Sequence, residues 1–190
     1  MHPAVFLPIA FVVVIFLARM TELGAKRGTV KGRIREGFTL WLFVATGALM
    51  FGCGIAEFLL LKRVLFWPAT IVGAFCAIFS FVLRRRAIAA LGRFWSLHVE
   101  IREEHEFIQT GPFRWMRHPT YFSMVLELLS VPLILNAWYS LLVIPIFFVP
   151  VLLWRIHIEE AALVQKFGDA YRLYQKTTPA LFPGKRPPSA

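Results

Sequence analysis

Two short polar clusters, each beside a long apolar segment, contain the side chains of this chain that are best suited to chemistry. The first precedes an apolar segment, and the second follows the same segment about forty residues later. Their ionisable and hydroxyl side chains are Arg117, His118, Tyr121, Arg155, Glu159 and Glu160. Ionisable groups at the edge of a bilayer are costly unless they bind a ligand or one another, so the clusters indicate a functional site.

The spacing within the second cluster allows two interpretations. Arg155 and Glu159 are four residues apart and share one face of a helix, which alone favours an ion pair that ends a span at the membrane interface. However, a short turn predicted at Asn136 brings the start of one span beside the end of the next. The two clusters are therefore expected to meet and to form a pocket.

Such a pocket offers a specific set of groups to a ligand. Carboxylates suit an ammonium or a ribose, histidine and backbone groups suit a carboxylate, aromatic rings suit a flat or cationic group, and arginine suits a second anion. S-adenosylmethionine carries all the complementary parts. A phosphate-bearing nucleotide would require a glycine-rich phosphate loop, and the segment Gly52 to Glu57 lacks the third small residue and lies inside a predicted span.

A metal site is not predicted. Several histidines and glutamates lie between the apolar segments or at their ends, namely His98, His105, His157, Glu103, Glu104 and Glu106. None of their spacings resembles a zinc site, and neither cysteine takes part.

The apolar segments that carry these clusters identify a membrane protein. Apolar residues make up 58% of the chain, with 19 Phe and 6 Trp. The long apolar runs are 3–18, 38–61, 64–83 and 119–154, and the last reads as a helical hairpin broken at Asn136. We therefore predict an all-α polytopic integral membrane protein with about five transmembrane helices; the first run is retained, because its positive charge follows it.

The distribution of basic residues predicts the orientation. Of the 21 Lys and Arg residues, all but Lys62 and Arg63 fall on one side of five spans. The positive-inside rule places that side, the C-terminus and the pocket in the cytoplasm and the N-terminus outside. We expect a bacterial or archaeal plasma membrane or a membrane like that of the endoplasmic reticulum. The net charge of +10 is explained by the positive-inside rule and by contact of basic residues with anionic lipid headgroups, so no nucleic acid partner is expected.

Two glutamates lie within predicted spans. For Glu57 we favour a structural interpretation, in which it pairs with a hydroxyl or a basic side chain. For Glu127, a structural pairing and a direct role in substrate binding are equally compatible with the sequence.

After the fifth span, apolar residues at helical spacing predict an amphipathic helix; they are Leu163, Phe167, Tyr171 and Tyr174.

The order of these motifs resembles the isoprenylcysteine carboxyl methyltransferase family over roughly residues 84–183. The matching pieces are Leu91-Gly92, Trp95-Ser96, His105 to Ile108, Gly111 to Phe113, Arg117 to Tyr121, Glu127 to Leu129, Arg155 with Glu159 and Glu160, Phe167-Gly168, Tyr171, Tyr174 and Phe182-Pro183. Residues 1–83 then hold three N-terminal spans, residues 84–183 the methyltransferase region, and residues 184–190 a flexible tail.

The resemblance implies a cytoplasmic S-adenosylmethionine pocket roofed by the C-terminal segment. By match, the cofactor contacts are His105, Glu106, Phe107, Ile108, Phe113, His118, Pro119, Thr120, Tyr121 and Glu159. Arg155 would meet the substrate carboxylate, and the lipid part of a lipophilic or prenylated substrate would enter sideways between helices. The chain departs from the family at Phe113, where Tyr is common, and at Ser123, where Gly is frequent.

A carboxylate acceptor needs no strong base, because it is ionised at neutral pH; Arg155 would orient it in line with the methyl donor. If the acceptor were a phenol or an amine, His157 or Glu160 would be the nearest base.

Two rival interpretations remain open at this stage. One is a membrane NADPH-dependent reductase of the sterol reductase type, and the other is a non-catalytic small transporter or scaffold.

Overall fold

The structure is a computed structural model that describes residues 3–24, 33–36, 38–95, 99–101 and 108–184. Its helices are α1 (Pro3–Gly24), α2 (Phe38–Leu60), α3 (Trp67–Leu91), α4 (Pro119–Leu135), α5 (Val149–Phe167) and α6 (Asp169–Thr177). Two short strands, β1 (Arg33–Glu36) and β2 (Val99–Ile101), pair antiparallel with an irregular register. The fold is thus helical as predicted, with a small strand pair that the sequence analysis did not predict.

Three helical segments of the described chain are long and apolar enough to cross a membrane. They are Phe38–Leu60, Trp67–Phe94 and Tyr139–Phe167, whereas α4 is apolar but only 17 residues long. α1 occupies the position of the first predicted span. The integral membrane class agrees with these helices, while the total of five spans and their orientation stay predictions.

The predicted hairpin at Asn136 is confirmed. Asn136 adopts a left-handed conformation with φ 53°, which asparagine tolerates better than most residues, and it ends α4. Its side-chain oxygen accepts a hydrogen bond from the Phe66 backbone N–H at 2.7 Å. A 3₁₀ turn (Tyr139–Leu142) and a π-helical turn (Ile144–Phe148) then lead into α5.

Close contact between α3 and α4 depends on Gly73. A Cβ atom at this position would lie 2.8 Å from the backbone nitrogen of Ile134, which is closer than real side chains come. Gly54 of α2 faces Val131 of α4 in a similar but looser way, at 3.1 Å. These contacts make α4 the centre of the bundle, and its inner face continues into the core residues Met50, Val131, Leu135, Phe148 and Leu152.

Glu57 lies at the end of the bundle opposite the polar clusters, and its carboxylate is fully engaged. It accepts hydrogen bonds from Arg63 Nη2 (2.7 Å) and from the backbone N–H and the hydroxyl of Ser140 (both 2.8 Å). The Tyr139 N–H adds a further bond at 3.2 Å. The structural interpretation of Glu57 is therefore confirmed, since the carboxylate ties α2 to the turn before α5.

The amphipathic tail is built from two helices. α5 ends at Phe167, Gly168 adopts φ 56°, and α6 begins at Asp169. A positive φ favours glycine, so Gly168 permits the break. Tyr171 and Tyr174 of α6 are buried, so this helix packs against the rest of the molecule.

Candidate active site

The hairpin brings the start of α4 against the C-terminal half of α5, so the two polar clusters touch. His118 Nε2 lies 2.9 Å from Glu160 Oε1, and the Tyr121 hydroxyl donates a hydrogen bond to Glu159 Oε2. Proline at the first position of α4 suits a helix start, because its ring restricts φ to a helical value and the missing N–H has no partner there in any case.

A chain of hydrogen bonds connects Arg155, Tyr121 and Glu159. Arg155 Nε donates to the Tyr121 hydroxyl at 2.8 Å, and this hydroxyl in turn donates to Glu159. Arg155 is only 4% exposed, whereas the side chain of Glu159 is 32% exposed. The tyrosine therefore links a buried cation to a carboxylate that a ligand can reach.

Two residues of α2 also contact Arg155. Its Nη1 atom donates to the hydroxyl of Thr39 at 2.6 Å, and its guanidinium lies 5.5 Å from the centre of the Phe43 ring. The Tyr121 ring lies on it as well, at 5.9 Å. The sequence analysis missed Thr39 and Phe43, because nothing in an apolar span marks which of its residues face a partner more than a hundred positions away.

His118 is held by its stacking and by its charged neighbours. Its ring stacks on Tyr121 with centroids 5.3 Å apart and planes 16° from parallel. Nδ1 lies 3.9 Å from Glu159 Oε1, while Nε2 contacts Glu160. Buried at 3% exposure, the imidazole thus separates the two adjacent glutamates of α5.

Glu160 binds three side chains from two distant parts of the chain. Its Oε1 accepts from Arg117 Nε at 2.7 Å and contacts His118, and its Oε2 accepts from Gln175 Nε2 at 2.8 Å. Arg117 also donates to the backbone carbonyls of Gln175 and Thr178. Glu160 therefore joins the start of α4, α5 and α6.

The segment after α6 lies across the residues that precede α4. The backbone N–H groups of Arg117 and His118 donate to the carbonyls of Pro179 and Ala180, both at 2.9 Å. The Tyr174 hydroxyl donates to the carbonyl of Phe113 at 2.6 Å. These bonds hold the C-terminal segment over the polar clusters.

Tyr171 of α6 lies close enough to the second polar cluster to be affected by its carboxylates. Burial, and then the nearby carboxylates of Glu160 and Glu159, raise the pKa of the Tyr171 hydroxyl well above its usual value.

An apolar groove with about 700 Å³ of empty space, including its open mouth, runs between α1, α2 and α4. Among its lining residues are Phe16, Phe43, Gly47, Phe51, Met124 and Phe148. Phe43 lines this groove and also contacts the Arg155 guanidinium, so a single side chain lies between the groove and the buried cation.

Glu127 lines the same groove but is paired. Its carboxylate accepts a hydrogen bond from Arg84, which also binds Glu22 at 3.2 Å and the Ser123 hydroxyl at 3.1 Å. Ser123 is one of the two departures from the family pattern noted above. Its hydroxyl accepts a hydrogen bond from Arg84 Nε, and a glycine at this position could not. The predicted substrate role of Glu127 remains a prediction.

The other predicted contacts divide into two groups. Phe113 and Pro119 are buried, Thr120 and Ile108 are half-buried, and all four belong to the described residues. His105, Glu106 and Phe107 lie outside the described residues, as do His98, Glu103 and Glu104.

Comparisons with known proteins point to the same family as the sequence motifs. Residues 72–165 match the Isoprenylcysteine carboxyl methyltransferase (ICMT) family. The chain is 30% identical over 149 residues to the uncharacterized protein YpbQ of Bacillus subtilis, covering 77% of this chain and 86% of that protein.

Two relatives carry the name protein-S-isoprenylcysteine O-methyltransferase. The one from Dictyostelium discoideum is 30% identical over 115 residues, covering 60% of this chain and 48% of that protein. The one from Schizosaccharomyces pombe is 30% identical over 103 residues, covering 53% and 44%. The chain thus spans about half the length of these two relatives.

Proposed function

Because this chain belongs to the isoprenylcysteine carboxyl methyltransferase family, we propose that it transfers a methyl group from S-adenosylmethionine to the carboxylate of a lipid-like or prenylated substrate. One observation carries the proposal: buried Arg155 is linked through Tyr121 to the partly exposed Glu159 and contacts Phe43, which lines an apolar groove. The partly exposed Glu159 suits a polar cofactor, and the apolar groove suits a lipid chain.

The donor set around Glu159 fits S-adenosylmethionine. The exposed part of this carboxylate can accept hydrogen bonds from an ammonium group or from ribose hydroxyls. Tyr121 donates a hydrogen bond to Glu159, and His118 Nδ1 lies 3.9 Å from it. We assign the cofactor contacts to these two residues together with Pro119, Thr120, Phe113 and residues 105–108. When bound, S-adenosylmethionine supplies an electrophilic methyl group on a sulfonium.

Arg155 is assigned to the acceptor. A guanidinium binds a carboxylate through two parallel hydrogen bonds, which fixes direction as well as charge. At 4% exposure, Arg155 meets the acceptor away from bulk water, where such a pair is stronger than on the surface. The groove beside it accommodates the apolar part of the same molecule.

The residues of this chain then act by orientation. A carboxylate acceptor is already ionised at neutral pH, so no residue has to remove a proton from it. Holding two reactants in line can lower a barrier by up to about 7–11 kcal/mol. Glu160 is bonded to Arg117, His118 and Gln175, and we assign it to bracing the pocket. It would serve as a base only for a phenol or amine acceptor.

Family membership favours neither the NADPH-dependent reductase nor the transporter or scaffold. Ligand stabilisation tests the cofactor directly, since a ligand that binds only the native state raises the melting temperature by mass action. Purified protein in detergent should be stabilised by S-adenosylmethionine and S-adenosylhomocysteine, and NADPH should have little effect. Stabilisation by NADPH alone would instead identify a reductase.

The orientation is part of the same proposal, with the site at the cytoplasmic face. A reporter that is active only in the cytoplasm should work after Ala190 and fail when inserted at Asn136. The reverse result would place the pocket on the other side of the membrane.

A further inference from the structure

We propose that Thr39 and Phe43 of α2 are positioning residues that fix the guanidinium of Arg155 for the acceptor. We call these two residues the α2 clamp. The inference rests on the proposed function in one respect, namely that Arg155 binds the acceptor carboxylate. It extends that function to the N-terminal part of the chain, since both residues precede the family match at 72–165.

Thr39 and Phe43 lie four residues apart and so share one face of α2, one turn apart. Thr39 has no exposed surface, and its hydroxyl accepts a hydrogen bond from Arg155 Nη1 at 2.6 Å. The Phe43 ring lies 5.5 Å from the guanidinium carbon, within the range of a cation–π contact. Both residues therefore contact the charged end of Arg155.

Two helices hold different atoms of the same guanidinium. The Tyr121 hydroxyl of α4 accepts from Nε, and Thr39 of α2 accepts from Nη1. With both bonds made, the plane of the group cannot turn about its Cδ–Nε bond without breaking one of them. An arginine held in this way is preorganised, so less conformational entropy is lost when it binds a carboxylate.

Phe43 of the α2 clamp also links the groove for the acceptor's apolar part to the arginine for its carboxylate. Phe43 lines the apolar groove as well as contacting Arg155, so a lipid chain in the groove passes the residue that supports the cation. We therefore expect the shape of the acceptor next to its carboxylate to affect turnover through Phe43.

Three threonine variants provide a matched test. Thr39→Val keeps the shape and removes the hydroxyl, and Thr39→Ser restores the hydroxyl. Thr46→Val is the control, because Thr46 is also buried on α2 and, among the described residues, its hydroxyl bonds only the carbonyl of Leu42 in its own helix, at 2.8 Å. Each variant is assayed for kcat and acceptor KM, for the Kd of S-adenosylmethionine, and for thermal stability.

Thr39→Val should lower kcat/KM for the acceptor by about ten- to a hundredfold, as expected for losing a hydrogen bond to a charged group. The cofactor Kd should stay within about twofold of the wild-type value, and Thr39→Ser should recover most of the activity. If Thr46→Val lowers activity as much as Thr39→Val, or if Thr39→Ser does not recover it, the positioning role is wrong.

A second measurement does not depend on catalysis. In protein labelled with ¹⁵N-arginine, the Nε–H signal of Arg155 is assigned by its loss in Arg155→Lys. Thr39→Val should shift or broaden this signal, and Thr46→Val should leave it in place. Should Thr39→Val not fold, Phe43→Leu is examined in the same way and should also shift the signal.

The two measurements separate the two claims. An unchanged Arg155 signal in the folded variant would overturn the α2 clamp, whatever the reaction. A changed signal, together with wild-type protein that methylates no carboxylate, would leave the clamp standing and contradict the proposed function.

Discussion

Glu57 and Glu159 are both carboxylates at the ends of apolar helices, yet they make different kinds of contact. Glu57 accepts bonds from Arg63, two backbone N–H groups and the Ser140 hydroxyl, and all of these partners belong to one end of the bundle. Glu159 is bonded by Tyr121, and about a third of its side chain remains exposed.

This difference separates a structural carboxylate from a candidate binding carboxylate. Around Glu57, the protein supplies backbone donors and a cation at short distance, so the charge is satisfied without a ligand. Around Glu159, the exposed surface leaves room for a ligand donor, and the bonded tyrosine connects it to buried Arg155. The exposure of the two carboxylates and their hydrogen-bond partners therefore distinguish their roles, whereas their charge does not.

The largest expected effect concerns Arg155. Arg155→Lys keeps the charge but loses the planar fork that binds a carboxylate in two places. We expect turnover to fall by about a hundredfold or more, while the Kd of S-adenosylmethionine changes by less than about threefold. Near-normal turnover with saturating acceptor would show that Arg155 has only a structural role, in which it joins α5 to Tyr121 and Thr39.

The next effect compares the two carboxylates directly. Glu159→Gln should weaken S-adenosylmethionine binding by about ten- to a hundredfold, because a charged acceptor is lost. Glu57→Gln should leave that Kd unchanged and instead reduce the free energy of unfolding by about 1–3 kcal/mol, because Arg63 and the Ser140 N–H lose a charged partner. Isothermal titration and thermal unfolding in detergent measure the two quantities.

An exchange of these outcomes would contradict the distinction between the two ends. If Glu57→Gln weakened cofactor binding while Glu159→Gln only lowered stability, the candidate site would lie at the wrong end of the bundle.

The smallest effect is expected at Glu160. Glu160→Gln retains one acceptor for Arg117 or His118 but removes the charge that joins α5 to α6. Cofactor affinity should fall by about three- to tenfold, and limited proteolysis beyond Gly168 should become faster. If turnover is abolished at full cofactor saturation, Glu160 acts in the chemistry and the acceptor needs a base.

The sequence predicted those features that depend on composition and local spacing. The length of the run 119–154 with Asn136 at its centre predicted the hairpin, and the hairpin made the contact between the two polar clusters predictable. The structural interpretation of Glu57 was also available, because a lone carboxylate in a span needs polar partners. Its particular partner, Arg63, was not predicted.

Features that depend on long-range packing were not predictable in the same way. The contact between Thr39 and Arg155 joins residues 116 positions apart, and the one between Arg84 and Glu127 joins residues 43 apart. Neither leaves a periodic signal in one sequence. The break at Gly168 did have a local signal, since glycine commonly follows the last residue of a helix, but the apolar spacing through Tyr174 suggested continuity.

Methyl transfer from tritiated S-adenosylmethionine tests the central claim most directly. Membranes containing the wild-type protein are incubated with the labelled cofactor and separated into lipid and protein fractions, which are then treated with base. We expect label in one fraction that base releases as methanol, as a methyl ester requires, and almost none with Arg155→Lys. Label that resists base, or equal transfer by Arg155→Lys, would contradict a carboxylate acceptor held by Arg155.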